Sequence, residues 1–245
     1  MRRFPEASDS CTVVVVTTTA AAASTQERTG RLWQGQTPDA READRRQRLV
    51  EAGIDLVGTQ GVAALTMRAA CREASVGPRY FYELFATREE LLEAVYDETV
   101  SRIRTPILAA VVDAAESVGV TAAIIAAFDT AVAVVEDDPR LGRILFRESA
   151  ADDTLRPRSQ AAMPEFVLTV IGEVMPERAD ELRGPESGWT LLGFSAALFA
   201  LFLAWSEGVR HTSRDEFVQH CASLAINDLA LDLELPAARR TGGRP

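Results

Sequence analysis

Residues 66–85 leave room for two helices and for only three residues of turn between them. Thr66 can cap the first helix, over Met67–Ala74, because its hydroxyl can accept one of the backbone N–H groups that a helix start leaves unpaired. Ser75-Val76-Gly77 makes the turn. Pro78, whose ring fixes φ near the helical value, suits the first position of a second helix that runs to about Phe85. Two short helices joined in this way form the helix-turn-helix signature.

The remainder is helical by the same kind of evidence. Asp39 and Glu42 read as a capping box, and Leu49, Val50, Ile54 and Val57 keep the spacing of one helix face. Gly61 supplies a left-handed stop. Thr87-Arg88-Glu89-Glu90 opens a fourth helix, which Pro106 should kink or end. Gly119, Asp138-Pro139, Pro157, Pro164, Pro176, Gly184-Pro185 and Gly208 divide the rest of the chain, and Ser213-Arg214-Asp215-Glu216 starts a last helix reaching about Leu233. No stretch shows convincing strand alternation. The expected fold class is all-α, with about nine or ten helices in two parts. Residues 39–87 form a three-helix helix-turn-helix domain, and 88–235 form a helical ligand-binding and dimerisation domain. Residues 1–38, whose apolar run Val13–Val16 is too short for a secretory signal, read as a disordered extension, and 236–245 as a flexible tail.

Composition narrows the function. Hydrophobic residues at 47% and charged residues at 25% exclude a disordered, collagen-like or disulfide-scaffold chain. A net charge of −10 argues against an indiscriminate nucleic-acid coat but not against a local reader of DNA. The charge is also uneven. Residues 1–90 hold 12 Arg against 12 Asp and Glu, and the remaining 14 Arg against 24 acids carry the whole excess. Three scattered cysteines and two histidines hardly supply a zinc site, and no metal or other cofactor is expected. Cysteine usage fits a reducing cytoplasm. The sequence contains no GxGxxG, GxxxxGK[ST], GxSxG or HExxH run, so an enzyme is not expected and no catalytic residue is assigned.

The second short helix carries the chemistry. Arg79, Tyr80 and Tyr82 follow Gly77-Pro78 at its entrance, where a recognition helix meets base edges and phosphates, whereas Phe81, Leu84 and Phe85 can pack inward. Thr66, Arg68 and Arg88 lie at or near helix starts, which favour phosphate. Tyr82 could instead be a core aromatic, and Arg68 a solvated cation.

The runs Gly61-Val62-Ala63-Ala64-Leu65-Thr66-Met67-Arg68-Ala69-Ala70, Ala74-Ser75-Val76-Gly77, Tyr80-Phe81-Tyr82-Glu83-Leu84-Phe85 and Thr87-Arg88-Glu89-Glu90-Leu91-Leu92 together resemble the N-terminal domain of tetracycline-repressor (TetR) type transcriptional regulators. The likeness spans about residues 41–100 without gaps. It departs at Ser75, where the family's turn has glycine, at Leu84, commonly aromatic, and at Arg88, commonly lysine. The resemblance implies a homodimer on a palindromic operator in double-stranded DNA, with a small-molecule effector in the C-terminal part and a repressor's mode of action. Carried onto this chain, Arg79 and Tyr80 would read bases. Tyr82, Thr66 and Arg88 would hold the DNA backbone, with Gly77 and Pro78 shaping the approach and Arg68 a weaker contact.

In the C-terminal part, Phe128, Phe146, Phe166 and Trp189 are candidate walls of an apolar pocket, with Arg143, Arg147 and Glu148 as candidate polar anchors. Trp189–Trp205 is the most apolar stretch. A helix apolar all round is normally buried, and the resemblance implies that this helix and the one over 214–233 pack against their symmetry mates as a four-helix dimer interface. The alternative is a helical protein anchored in a membrane through 189–205, a run at the short end of what a span needs.

Overall fold

In a computed structural model of the chain, residues 37–209, 212–231 and 233 are described. Most of the expected N-terminal extension, and the whole 236–245 tail, lie outside them. The first helix, α1 (Pro38–Gln60), starts one residue before the expected cap: Pro38 takes the first turn, where a missing N–H costs nothing, and Asp39 lies inside it. Leu49, Val50, Ile54 and Val57 are buried as their spacing requires. Gly61, at φ 92°, ends the run, and one 3-10 turn (Val62–Ala64) leads on.

Thr66 caps α2 (Met67–Glu73), its hydroxyl accepting the Ala69 N–H at 3.1 Å. The turn's left-handed residue is Ser75, at φ 52°, while Gly77 stays extended. Serine therefore adopts the conformation for which glycine is the usual choice, a geometry that costs an L-residue about 1–2 kcal/mol. The Val76 N–H reaching back to the Cys71 carbonyl at 2.9 Å closes the turn. Next, α3 (Pro78–Leu84) buries Phe81 and Phe85 against α1 and α2.

Thr87 then caps α4 (Arg88–Ser117). This helix passes unbroken through Pro106, so proline removes one backbone hydrogen bond without ending the helix. Packing holds it: α4 meets α1, α5 (Val120–Asp137) and α8 (Leu155–Val174). Between α5 and α8 lie a short α6 (Pro139–Gly142), a π-helical stretch over Arg143–Glu148, and α7 (Ser149–Ala151). The chain continues through α9 (Pro176–Leu182) and α10 (Gly188–Ser206) to α11 (Arg214–Asp228). The Ser213–Glu216 box at the start of α11 is reciprocal. Its end comes before Leu233, because Ala230 turns left-handed at φ 46° and the Leu231 N–H bonds the Ile226 carbonyl. The described residues are helices and their connections, with no strand among them.

Within one chain, α10 buries one of its faces and leaves another open. Leu191, Phe194, Leu198 and Phe202 face the core, but Trp189, Leu192, Gly193, Ala196 and Ala200 are exposed. Among the described residues, Pro185–Ser206 is the one helix long and apolar enough, by length and composition, to cross a membrane, and 28% of its apolar stretch is buried.

Candidate nucleic-acid interface and buried cavity

Because α3 is only two turns long and turns Phe81, Phe85 and the half-buried Leu84 toward the core, Arg79, Tyr80 and Tyr82 face out. Arg79 is 87% exposed along its side chain and Tyr82 is 62% exposed, so Tyr82 is not a core aromatic. Tyr82 instead packs its ring edge on Phe81 at 5.6 Å. Arg79 donates Nε to Glu83 at 3.0 Å, an exposed pair that DNA phosphate or a base edge can displace at little cost. Tyr80 is exposed, and the Arg45 guanidinium stacks over its ring at 4.5 Å. Gly77 and Pro78 are exposed at the entrance of α3, and Thr66 and Arg68 are exposed on α2's first turn. No ion pair or hydrogen bond of the Arg68 side chain occurs among the described residues.

Arg88 is differently placed. Its Nε donates to the Leu65 carbonyl at 2.6 Å and its Nη2 to the Val62 carbonyl at 2.8 Å, and Nη1 reaches Glu89. Its first task is to fasten the 3-10 turn to the start of α4.

Sequence reasoning missed Arg45 and Arg46. Arg46 lies over Phe85 at 5.0 Å, and Arg45 carries a buried Nε with no hydrogen-bond partner. The available signal was the clustering of Arg41, Arg45, Arg46 and Arg48 on α1, but nothing in the sequence says that this part of α1 meets α3.

A ladder of arginines ties the outer face of α1 to the rest. Arg102 pairs with Glu51, Arg140 with Asp55, and Arg143 Nη1 donates to the Thr59 carbonyl at 2.8 Å. Arg140 also binds Asp138 through Nε at 2.8 Å and Nη2 at 2.6 Å. These hydrogen bonds, above all, hold the Asp138 carboxyl below the ordinary carboxylate range. Gly58 permits the close approach: a Cβ there would meet the Arg140 Cβ at 2.5 Å. Arg143 and Glu148, expected as pocket anchors, bind each other at 2.9 Å instead, and Glu148 also accepts the Val62 N–H at 3.0 Å. Arg147 pairs loosely with Glu207 at 3.9 Å.

Behind this clasp lies a cavity of about 110 Å³ bounded by α4, α5, α8, α10, α11 and the π-helical stretch. Phe128, Phe146 and Phe166 line it, with Leu145, Met163 and Phe202. Trp189 does not; it stands 83% exposed at the start of α10, five residues before the first inward-facing phenylalanine of that helix. Tyr96, Arg104 and Ser159 are the residues of the lining with polar side-chain groups. Burial pushes the Tyr96 phenol up to about 12, so it is neutral at physiological pH. His220 is exposed beside a buried Cys221, and no cluster of metal-ligating side chains occurs among the described residues.

Both the N-terminal segment and the fold as a whole have counterparts among known proteins. The model of the family of bacterial regulatory proteins described as the tetR family matches residues 49–95. The HTH-type transcriptional regulator BetI of Rhizobium meliloti (strain 1021) is 35% identical over 74 residues, covering 30% of this chain and 36% of that protein. The chain thus matches about a third of this relative's length. The fatty acid degradation regulator FadR of Bacillus halodurans superposes with TM-score 0.58 at 14% identity, over 77% of this chain and 95% of its own. A putative TetR-family regulator of Mesorhizobium loti gives TM-score 0.57 at 17% identity, over 78% and 98%. These similarities carry the fold well beyond the matched N-terminal segment.

Proposed function

We propose that this chain acts as a TetR-family homodimeric repressor released from a palindromic operator by a small-molecule effector. The observation that carries the reading is the outward face of α3. Arg79, Tyr80 and Tyr82 stand exposed on a two-turn helix whose other side is pinned by Phe81 and Phe85. Arg79 and Tyr80 read base edges in the major groove. Tyr82, Thr66 and Arg68 contact the sugar-phosphate backbone, joined by Arg45 and Arg46 from α1, and Gly77 and Pro78 let the strand approach. Arg88 acts by holding the 3-10 turn in place.

Dimerisation falls to α10. Its exposed apolar face carries Gly193, Ala196 and Ala200 beside Trp189 and Leu192; the three small residues let a second copy approach closely, and this use accounts for the face without a membrane. The protein would then work in the cytoplasm and without enzymatic activity.

The effector occupies the cavity and acts as a population shift. Leu145 and Phe146 line the cavity, while Arg143 and Glu148 of the same stretch hold Thr59 and Val62 beside the helix-turn-helix. A ligand that moves the π-helical stretch or α4 therefore alters how the α3 helices of a dimer are held. Duplex DNA accepts half-sites only near one helical turn apart, about 34–36 Å, so a state with another spacing loses affinity. Fluorescence anisotropy against DNA from upstream of the coding region, with random DNA as competitor, tests the reading. Wild-type protein should bind through the competition and Arg79→Ala/Tyr80→Ala should not. Equal binding of both proteins, or no preferred site in a random-sequence selection, would overturn it.

A further inference from the structure

Of the described arginines from Arg88 to Arg214, every one but Arg104 is in an ion pair. Acids are plentiful there: residues 91–245 hold 24 against 14 arginines. Arg104 makes no ion pair among the described residues, and it is also the charged residue in the wall of the apolar cavity. We propose that the cavity takes an unbranched aliphatic chain ending in an anionic head group, carboxylate or phosphate, and that Arg104 binds the head. The inference rests on the reading of the cavity as an effector site and names the class of effector.

Shape points the same way. Along α4 the lining runs from Tyr96 to Ile107, and along α8 from Ser159 to Ile171. At the helical rise, the α4 wall alone is about 16 Å long. A cavity of about 110 Å³ between walls of that length holds part of a methylene chain as it stands, and the walls must give to admit the rest. Ile103 and Ile107 are buried while Arg104 between them is exposed, so the guanidinium stands at the solvent edge of the cavity. An aliphatic chain inside and an anion at that edge leave no charge buried, and a guanidinium can grip either head group through two parallel N–H bonds. Both long walls carry a proline beside the cavity, Pro106 next to Ile107 and Pro164 next to Met163. Each wall lacks one helical hydrogen bond there and can give as the chain enters.

Isothermal titration of the purified full chain with decanoate, decyl phosphate and decan-1-ol tests the proposal, with DNA binding measured on the same preparations. At least one anion should bind once per chain, about tenfold more tightly than the alcohol, equivalent to about 1.4 kcal/mol. Which anion wins identifies the head group. Arg104→Gln should bring the anions to the level of the alcohol and leave the alcohol unchanged, whereas Ala162→Phe, which fills the cavity, should weaken all three. Alcohol and anions binding alike, or Arg104→Gln without effect, would overturn the head-group assignment. No binding of any probe to protein that still holds its preferred DNA would overturn the ligand class and leave the regulator standing. Anion binding by protein with no DNA preference would do the reverse.

Discussion

Glu148 Oε2 accepts the backbone N–H of Val62 at 3.0 Å across 86 residues of sequence, and its other oxygen holds Arg143. One carboxylate thereby joins the π-helical stretch beside the cavity to the turn that leads into the helix-turn-helix.

Glu148→Ala should leave the Val62 N–H and the Arg143 guanidinium without that partner in a partly buried place. The expected loss is about 1–3 kcal/mol of unfolding free energy. Urea denaturation followed by circular dichroism checks it, and an unchanged midpoint would assign the clasp no energetic weight.

Arg68 and Arg88 should separate cleanly. Arg68→Ala, on an exposed and uncommitted side chain, should keep the melting temperature and reduce the salt slope of DNA binding by about one. Arg88→Ala removes two donors from the carbonyls of Leu65 and Val62 and should lower the melting temperature. A flattened salt slope with unchanged melting in Arg88→Ala would reverse these roles.

A charge on the open face of α10 should split the dimer. In a two-fold interface the same residue appears twice, so Ala196→Glu places two carboxylates in one apolar contact. Sedimentation velocity should then find a monomer with weakened operator binding. A dimer that persists would move the interface elsewhere.

Asp138 gives the chain a defined acid sensitivity. Its carboxyl is held below the ordinary value of 3.8, first by hydrogen bonds from the Arg140 side chain. A carboxyl depressed in the folded state contributes stability fully above its unfolded pKa and loses it as pH falls through the folded one. The stability gap between wild type and Asp138→Asn should be constant at neutral pH and close below pH 3.8. A gap that stays open in acid would show that the Asp138 charge is not what Arg140 holds.

Local rules made much of this molecule readable. Thr66, Thr87 and Ser213 cap the helices their side chains announce, Pro78 opens α3, and Gly61 stops α1, because each choice depends on a few neighbouring backbone groups. The outward set Arg79, Tyr80 and Tyr82 follows from the inward set Phe81 and Phe85 by helical periodicity alone. Other features needed the assembled chain. Pro106 does not end α4, because packing against α1, α5 and α8 outweighs one lost hydrogen bond. Ser75 accepts a left-handed backbone because the helices on either side of the turn fix its geometry. Arg143 and Glu148 looked like pocket anchors, but they turn toward α1 once the π-helical stretch rotates their side chains away from the cavity that Leu145 and Phe146 enter. Trp189 reads as a wall until α10 is seen to bury only one of its apolar faces. Sequence determines what a residue and its neighbours within a turn or two can satisfy. Which of two equally apolar faces meets the core, and which arginine is left without a carboxylate, is decided only when distant helices are packed together.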